Sequence, residues 1–412
     1  MSELAPAARM RRRTDADRAH APAIEAAIER WERHAGGERG GAAAWWEEIG
    51  KAILLSPFWI ERLREHGISP RAIRSEADLR VLPVLTRAEV AAQSARMVAV
   101  DPAGAPGLVI VESSGATGAP VKVVRGDLEC LLMWGCARFW AARHGVALSD
   151  RARAVLLCTL PSGLEYSRRA PLFLRGAIHR ISTVRDGARS RLAKVAPSMI
   201  FTDPEGLRWL VERDAVTARI VASSAQALPS SLRSRVPAPL VDYYATTETG
   251  PIAWSCPRAP ERFHVLGPDV IVESVGGALV VTRLRPSPWL LLRYATGDRG
   301  RVVDEACECG FVGRSIVELV GRGHVRFARA DGSLVDPWRL AFVFKHRGLR
   351  DFRLAQIAVD RFVLEVVGED PEIGARVARG LEALGFEEAH VELRFMDRID
   401  HGVKVAPFVS AV

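Results

Sequence analysis

Apolar positions along this chain keep two rhythms. Between residues 23 and 65 they recur every three or four positions, with Trp31, Trp45, Trp46, Phe58, Trp59 and Leu63 among them. That spacing predicts helices. Residues 127–144 repeat it with Leu131, Trp134, Phe139 and Trp140. The short apolar runs Leu108-Val109-Ile110-Val111 and Val121-Lys122-Val123-Val124 instead predict two strands flanking a loop. From residue 153 onward the two rhythms alternate. Strands are expected over Ala154–Leu160, Ser198–Thr202, Arg219–Ala222 and Leu240–Tyr243, with helices over 204–213 and 229–235. Strands separated by helices imply an α/β fold, here a large domain with mainly parallel sheets and helices, whose ligands sit at the carboxyl ends of the strands. After residue 325 the order is strand, helix (336–346), two strands (Ala355–Ile357, Phe362–Val367), helix (370–384), strand (389–396). That reads as a small α+β domain.

At 412 residues the chain is long enough for two domains. Three segments are expected: a basic, flexible tail over 1–22, a large domain over 23–320, and a small mobile one over 321–412. No apolar run reaches the roughly 18 residues of a membrane helix. The Arg-rich start has no apolar stretch behind it, unlike a secretory signal, so a cytoplasmic location is expected. The net charge of +8 raises the question of nucleic acid. The arginines are scattered among acidic residues, so no nucleic-acid and no membrane partner is expected. Cys130, Cys136 and Cys158 lie in apolar segments and read as small buried hydrophobes.

Three polar motifs interrupt the apolar pattern. The loop Glu112-Ser113-Ser114-Gly115-Ala116-Thr117-Gly118-Ala119-Pro120 follows the first strand. Its small residues let backbone N–H groups and hydroxyls turn inward, as a polyphosphate requires. It lacks the Gly-Lys-Ser/Thr ending of a Walker loop. The strand at 240 runs into Tyr243-Tyr244-Ala245-Thr246-Thr247-Glu248, where a strand-end carboxylate can hold Mg²⁺ together with phosphates. Arg293-Tyr294-Ala295-Thr296-Gly297-Asp298 puts a carboxylate in what reads as a tight turn, suited to a ribose diol. Beyond these, Cys256, His264, Cys307 and Cys309 supply three thiols and one imidazole. Such a set can close around zinc, and can equally be four ordinary loop residues.

In their order and spacing the three motifs resemble those of the adenylate-forming enzymes, most of all the phenylacetate-CoA ligases. The resemblance runs from about residue 55, where Leu82-Pro83-Val84-Leu85-Thr86-Arg87 resembles a Leu-Pro-x-x-Thr-Lys element, to the C-terminus. The chain departs from the family pattern at Ala116, Ala119, Ala245, Gln226 and His324. The resemblance implies ATP, Mg²⁺ and a carboxylic acid, aromatic by analogy, as ligands, with coenzyme A as acyl acceptor. It implies that Ser113, Ser114, Gly115, Thr117 and Gly118 hold the phosphates. Ser224, Ala225 and Gln226 would form the adenine-side loop, and Tyr243, Tyr244, Ala245 and Thr246 would bind ATP or AMP, with a Tyr ring against the adenine. Thr247 and Glu248 would serve the α-phosphate and Mg²⁺, Asp298 the ribose, and Arg314 and Arg322 the nucleotide. Lys404 would be the lid lysine at the reacting oxygens. Trp134, Phe139 and Trp140 would border the acyl pocket. The family also carries cysteines and a histidine where Cys256, His264, Cys307 and Cys309 stand, which implies a structural Zn²⁺. The resemblance admits a homodimer. The alternatives are transfer to an amine or a carrier thiol, or a nucleotide-binding homologue without turnover.

Overall fold

The computed structural model describes all residues except 1–5, 39–42, 100–107, 113–120, 150–151, 160–163, 170–176, 286, 322–324, 336, 338–339, 341–342, 345–348 and 400–407. The chain forms two compact units. The larger comprises Met1–Val111, Val123–Thr159 and Gly163–Gly321; the smaller comprises Glu112–Lys122, Leu160–Ser162 and Arg322–Val412.

The larger unit opens with helices α1 (Pro6–Ala35), α2 (Ala43–Leu55), α3 (Pro57–Glu65) and α4 (Arg87–Gln93). Helix α1 thus begins at Pro6, inside the segment expected to be a tail. Strands β1 (Val109–Glu112) and β2 (Lys122–Arg125) form a two-stranded ribbon, and α5 (Asp127–Arg143) follows. Next come β3 (Ala154–Cys158), β4 (Tyr166–Arg169), β5 (Ala177–Ser182), α6 (Ala188–Val195), β6 (Met199–Thr202), α7 (Pro204–Glu212), β7 (Ile220–Ser223), α8 (Ser230–Arg233) and β8 (Leu240–Thr246). An antiparallel run completes the unit: β9 (Gly250–Ser255), β10 (Phe263–Val265), β11 (Val270–Val275), β12 (Ala278–Arg283), β13 (Tyr294–Val303) and β14 (Ser315–Val320).

Strands β3–β14 make one twelve-stranded sheet in the order β11-β12-β13-β14-β10-β9-β8-β7-β6-β3-β5-β4. Only β5, β3, β6, β7 and β8 are mutually parallel. The expectation of mainly parallel sheets is therefore corrected to a mixed sheet within an α/β fold. In the parallel half, neighbouring residues feed opposite faces. Ala154, Met199 and Ile220 pack with α1 and α5, while Val155, Ile200 and Val221 pack against Leu192 of α6 and Leu207 of α7. Both faces are covered, so β3 is apolar throughout and β6 and β7 are apolar up to their last residues, Thr202 and Ser223.

Helix α1 buries Ile24, Ala27, Trp31 and Ala35, one helical face at three- and four-residue spacing. Gly135 of α5 lets α1 approach; a Cβ there would stand 3.2 Å from Ile24. The buried Asp269 accepts from Arg30 and Arg285, each at 3.2 Å, which ties α1 to the antiparallel half. The segment before α4 docks on β13. Leu85 N–H donates to the Arg293 carbonyl at 2.8 Å, and Ala295 N–H donates to the Leu85 carbonyl at 2.9 Å. The Arg293 guanidinium also donates to the carbonyls of Arg80 and Leu82.

In the smaller unit, β15 (Phe327–Ala328) pairs with β16 (Leu334–Val335). A four-stranded sheet follows, in the order β19 (His390–Phe395), β18 (Arg361–Gly368), β17 (Leu349–Ala358), β20 (Phe408–Ser410). Helix α9 (Ile373–Glu382) buries Ile373, Val377 and Leu381 at four-residue spacing, in a core shared with Leu354, Phe362 and Leu364. Much of the helix expected over 336–346 falls on residues outside those described.

Candidate nucleotide and metal sites

Strand β8 carries the first expected cluster. Its side chains alternate, so Tyr243 and Tyr244 point to opposite faces. Tyr243 packs on Trp140 with ring centroids 4.9 Å apart. Tyr244 turns the other way, and its hydroxyl donates to Asp298 Oδ2 at 2.7 Å and lies 3.0 Å from Thr296 Oγ1. Two motifs separated by more than fifty positions therefore meet through one hydroxyl. Asp298 lies within β13, beside Gly297 (φ 86°) and an irregular register, and not in the tight turn expected for it. Its backbone N–H donates to Thr296 Oγ1 at 3.2 Å, which fixes the backbone at Asp298 to the hydroxyl that Tyr244 also meets.

Beyond β8 the chain reverses through Thr247, Glu248 and Thr249. The turn is closed by Thr249 N–H donating to Thr246 Oγ1 at 3.1 Å. Glu248 is 3% exposed, and its Oε1 accepts from Arg87 at 2.5 Å. Arg87 opens helix α4, which a capping box between Thr86 and Glu89 fixes in place. The Thr247 carbonyl accepts from Arg125 at 2.6 Å. Neither arginine is among the residues expected at the site. The Leu-Pro-x-x-Thr-Arg run is the one sequence signal for Arg87, and Arg125 carries none. Mg²⁺ usually takes one or two carboxylates and completes its shell with water and phosphate. A single buried carboxylate, with Arg87 on one oxygen, fits that requirement through its other oxygen.

Ser224, Ala225 and Gln226 leave the carboxyl end of β7. Ala225 stands at φ 79°, a left-handed conformation that costs a non-glycine residue about 1–2 kcal/mol. Gln226 Nε2 is buried and has no hydrogen-bond partner among the described residues. A strained backbone and an unmatched donor sit together at a strand end, where a ligand acceptor would satisfy the amide.

Two of the expected groups meet other partners. Arg314 does not join the nucleotide residues: its guanidinium is held by Glu76 and by Asp304 at 3.0 Å. It precedes β14, whose Ser315 pairs with Val303, whereas Arg299, beside Asp298, pairs with Val320. Five residues of strand, about 17 Å, separate the two ends. Trp134, Phe139 and Trp140 are all buried in the core of α1, α5 and the sheet, with Phe139 against Trp254 at 4.9 Å. They are buried core side chains. Ser113, Ser114, Gly115, Thr117, Gly118, Arg322 and Lys404 lie outside the described residues.

Cys256, His264, Cys307 and Cys309 converge, with their ligand atoms all within 4.8 Å of one another. Cys256 Sγ stands 3.6 Å from Cys307 Sγ, and His264 Nε2 stands 3.2 Å from Cys309 Sγ. Two thiolates about 2.3 Å from a tetrahedral zinc are about 3.8 Å apart, so the spacing fits. The other ring nitrogen, Nδ1, lies 3.0 Å from Ser315 Oγ, which fixes the imidazole's orientation as outer partners of metal ligands do. Phe311 stacks on the ring at 4.1 Å. Burial, helped by Arg262, pushes His264 down to about 3, so the imidazole is neutral and its lone pair available. Burial pushes Cys256 up to about 12. At Cys307 burial is outweighed by the Cys309 backbone N–H and the neighbouring thiols, which hold the thiol below its ordinary value. The set offers four protein ligands, so a metal bound by all of them keeps no open position.

No protein-family model matches the chain, and no curated protein matches it in sequence. Solved structures do. The chain is similar to 2-hydroxyisobutyryl-CoA ligase in complex with 2-HIB-AMP and CoA in the thioesterification state. There the TM-score is 0.58 at 15% identity, covering 95% of this chain and 90% of that one. It is also similar to the same ligase in the postadenylation state with R3-HIB-AMP, with TM-score 0.56, 15% identity, and coverage of 90% and 88%. The chain therefore has the fold of these ligase structures, over 90% or more of its length.

Proposed function

We propose that this protein activates a carboxylic acid with ATP and passes the acyl group to the thiol of coenzyme A. The observation that carries this is the meeting of Tyr244 with Asp298, 2.7 Å apart, on the strand that leads into the Thr247–Glu248 turn. It gathers the ribose carboxylate and the phosphate-side residues of two motifs in one fold. The acid's carboxylate oxygen attacks the α-phosphorus. The bond to the bridging oxygen breaks and pyrophosphate leaves. The thiol then attacks the acyl carbonyl, losing its proton, and AMP departs. In this reading Asp298 accepts from the ribose hydroxyls, Thr247 steadies the α-phosphate, and Gln226 Nε2 donates to the base. Ser113, Ser114, Gly115, Thr117 and Gly118 cradle the pyrophosphate, with Arg322 on the nucleotide. Lys404 brings its ammonium to the reacting oxygens. Mg²⁺ held by Glu248 would neutralise phosphate charge, a contribution of several kcal/mol. Zn²⁺ in the Cys256, His264, Cys307, Cys309 set is structural in this account. Catalysis is then mostly positioning and charge neutralisation.

The acid is read as an aromatic carboxylate on the strength of the phenylacetate-CoA ligase resemblance. With Trp134, Phe139 and Trp140 in the core, that reading rests on the motifs alone, so a test panel must include aliphatic acids. The protein is incubated with ATP, Mg²⁺ and such a panel. Pyrophosphate release with one acid class is expected, as is a thioester on adding coenzyme A. Release without thioester formation redirects the acyl group to an amine or carrier thiol. ATP binding without release from any acid refutes the enzyme and leaves a nucleotide binder.

A further inference from the structure

Arg125 ends β2, the strand that returns from the 113–120 loop. Its Nη2 donates to the Thr247 carbonyl at 2.6 Å. Gly250, at φ 72° just beyond the turn, takes a left-handed backbone that favours glycine, and Arg125 Nη2 lies beside it, 3.7 Å from where a Cβ would stand. The other side of the guanidinium faces Glu129 Oε1 at 3.5 Å. Glu129, in the first turn of α5, also accepts from Arg283 and from Ser287 Oγ at 3.0 Å. Arg283 closes β12 and is 2% exposed. Its Nε and Nη1 are buried without hydrogen-bond partners among the described residues, as is Arg125 Nε.

Such a cluster is a poor source of stability. Burying one carboxylate and two guanidinium groups costs several kcal/mol per ion, which mutual attraction repays only with full hydrogen bonding. Here three guanidinium nitrogens lack it. The cluster does, however, join three elements in one line: β12 through Arg283, α5 through Glu129, and β2 through Arg125. The line ends on the backbone of Thr247, next to Glu248. A guanidinium spans a carboxylate and a carbonyl at once because its donors form a rigid fork.

We propose that Arg125 is a positioning residue. It fixes the Thr247–Glu248 turn to the strand leaving the phosphate loop, with Glu129 and Arg283 as its support. The role rests on the reading under Proposed function, since it sets the geometry of that reaction and touches no reacting atom.

Arg125→Met keeps the bulk and removes every donor. The readouts are the kcat of ATP-dependent pyrophosphate release, the melting temperature, and the affinity for adenosine, which carries the ribose but no phosphate. Misplacing a reactive group by an ångström can cost about 100-fold. A kcat fall of that order is expected, with adenosine affinity within about threefold of the parent. Arg125→Lys has one donor nitrogen and cannot span both partners, so a fall of about tenfold is expected there. An Arg125→Met variant with parental kcat overturns the positioning role, and so does one that loses adenosine affinity in proportion to kcat. Should Arg125→Met fail to fold, Arg125→Lys decides, and parental kcat in it overturns the role. A parent that binds adenosine yet releases no pyrophosphate with any acid overturns the proposed activity and the role together. A parent that turns over alongside an equally active Arg125→Met overturns the role alone.

Discussion

At the scale of single residues, Tyr244 and Asp298 are each other's test. A hydrogen bond to a charged group contributes about 1.5–3 kcal/mol, and the Tyr244 hydroxyl holds Asp298 in one orientation. Asp298→Ala should weaken ATP binding by about 30-fold, or about 2 kcal/mol, while acid binding holds, because only the nucleotide carries a ribose diol. Tyr244→Phe keeps the ring and removes that one hydrogen bond, so a smaller loss in the same direction is expected. Calorimetric titration of ATP and of the acid separately checks both, and equal ATP affinity in Asp298→Ala would return Asp298 to a plain strand residue. Residue type and spacing make Asp298, Glu248 and the cysteines legible in the sequence. Their partners are less so. Arg125 and Arg283 are two of many arginines in the chain, and only the fold sets Arg125 on the Thr247 carbonyl. Arg314 misleads for the same reason: its place in the motif order is right, yet Glu76 and Asp304 hold it at the other end of β14.

At the scale of elements, the antiparallel strands are where a pattern-based reading falls short. All six residues of β9 are buried, and β12 is buried from Leu279 to Arg283. Strands covered on both faces lose the two-residue alternation that reveals a half-exposed strand, so Gly250–Ser255 and Ala278–Arg283 look like stretches between motifs. These strands also bring the four metal-ligand candidates together. Cys256 follows β9, His264 lies on β10, and Cys307 and Cys309 lie between β13 and β14, with His264 paired to Ser315 in register. One zinc per chain is expected by elemental analysis of the purified protein. Cys309→Ser should lower zinc content and melting temperature together, and leave ATP affinity near the parental value. Closed structural sites supply folding energy directly, which is why stability is the property expected to move. A metal-free preparation as stable as the parent would reduce the four to ordinary loop residues.

At the scale of the whole molecule, the two units have separate described cores. Phe352, Leu354, Phe362, Leu364 and Ile373 belong to the smaller unit; the Trp31, Phe139, Trp140 and Trp254 cluster belongs to the larger. Within the smaller unit, Gln356 of β17 holds both the N–H and the C=O of Ala328 on β15, which joins its two sheets. Chains with separate cores need not unfold in one step. Scanning calorimetry should therefore resolve two transitions. Only the larger unit contains the cysteines, His264, Glu248 and Asp298. Strong chelation should then lower its transition and leave the other in place. ATP with Mg²⁺ at about 100 times its dissociation constant should raise the transition of the unit that binds it by an amount equivalent to about 2.7 kcal/mol. A single transition that moves as one under chelator would show the two cores to be one cooperative unit. Two transitions that both fall would place the stabilising role of the metal beyond the loops that hold it.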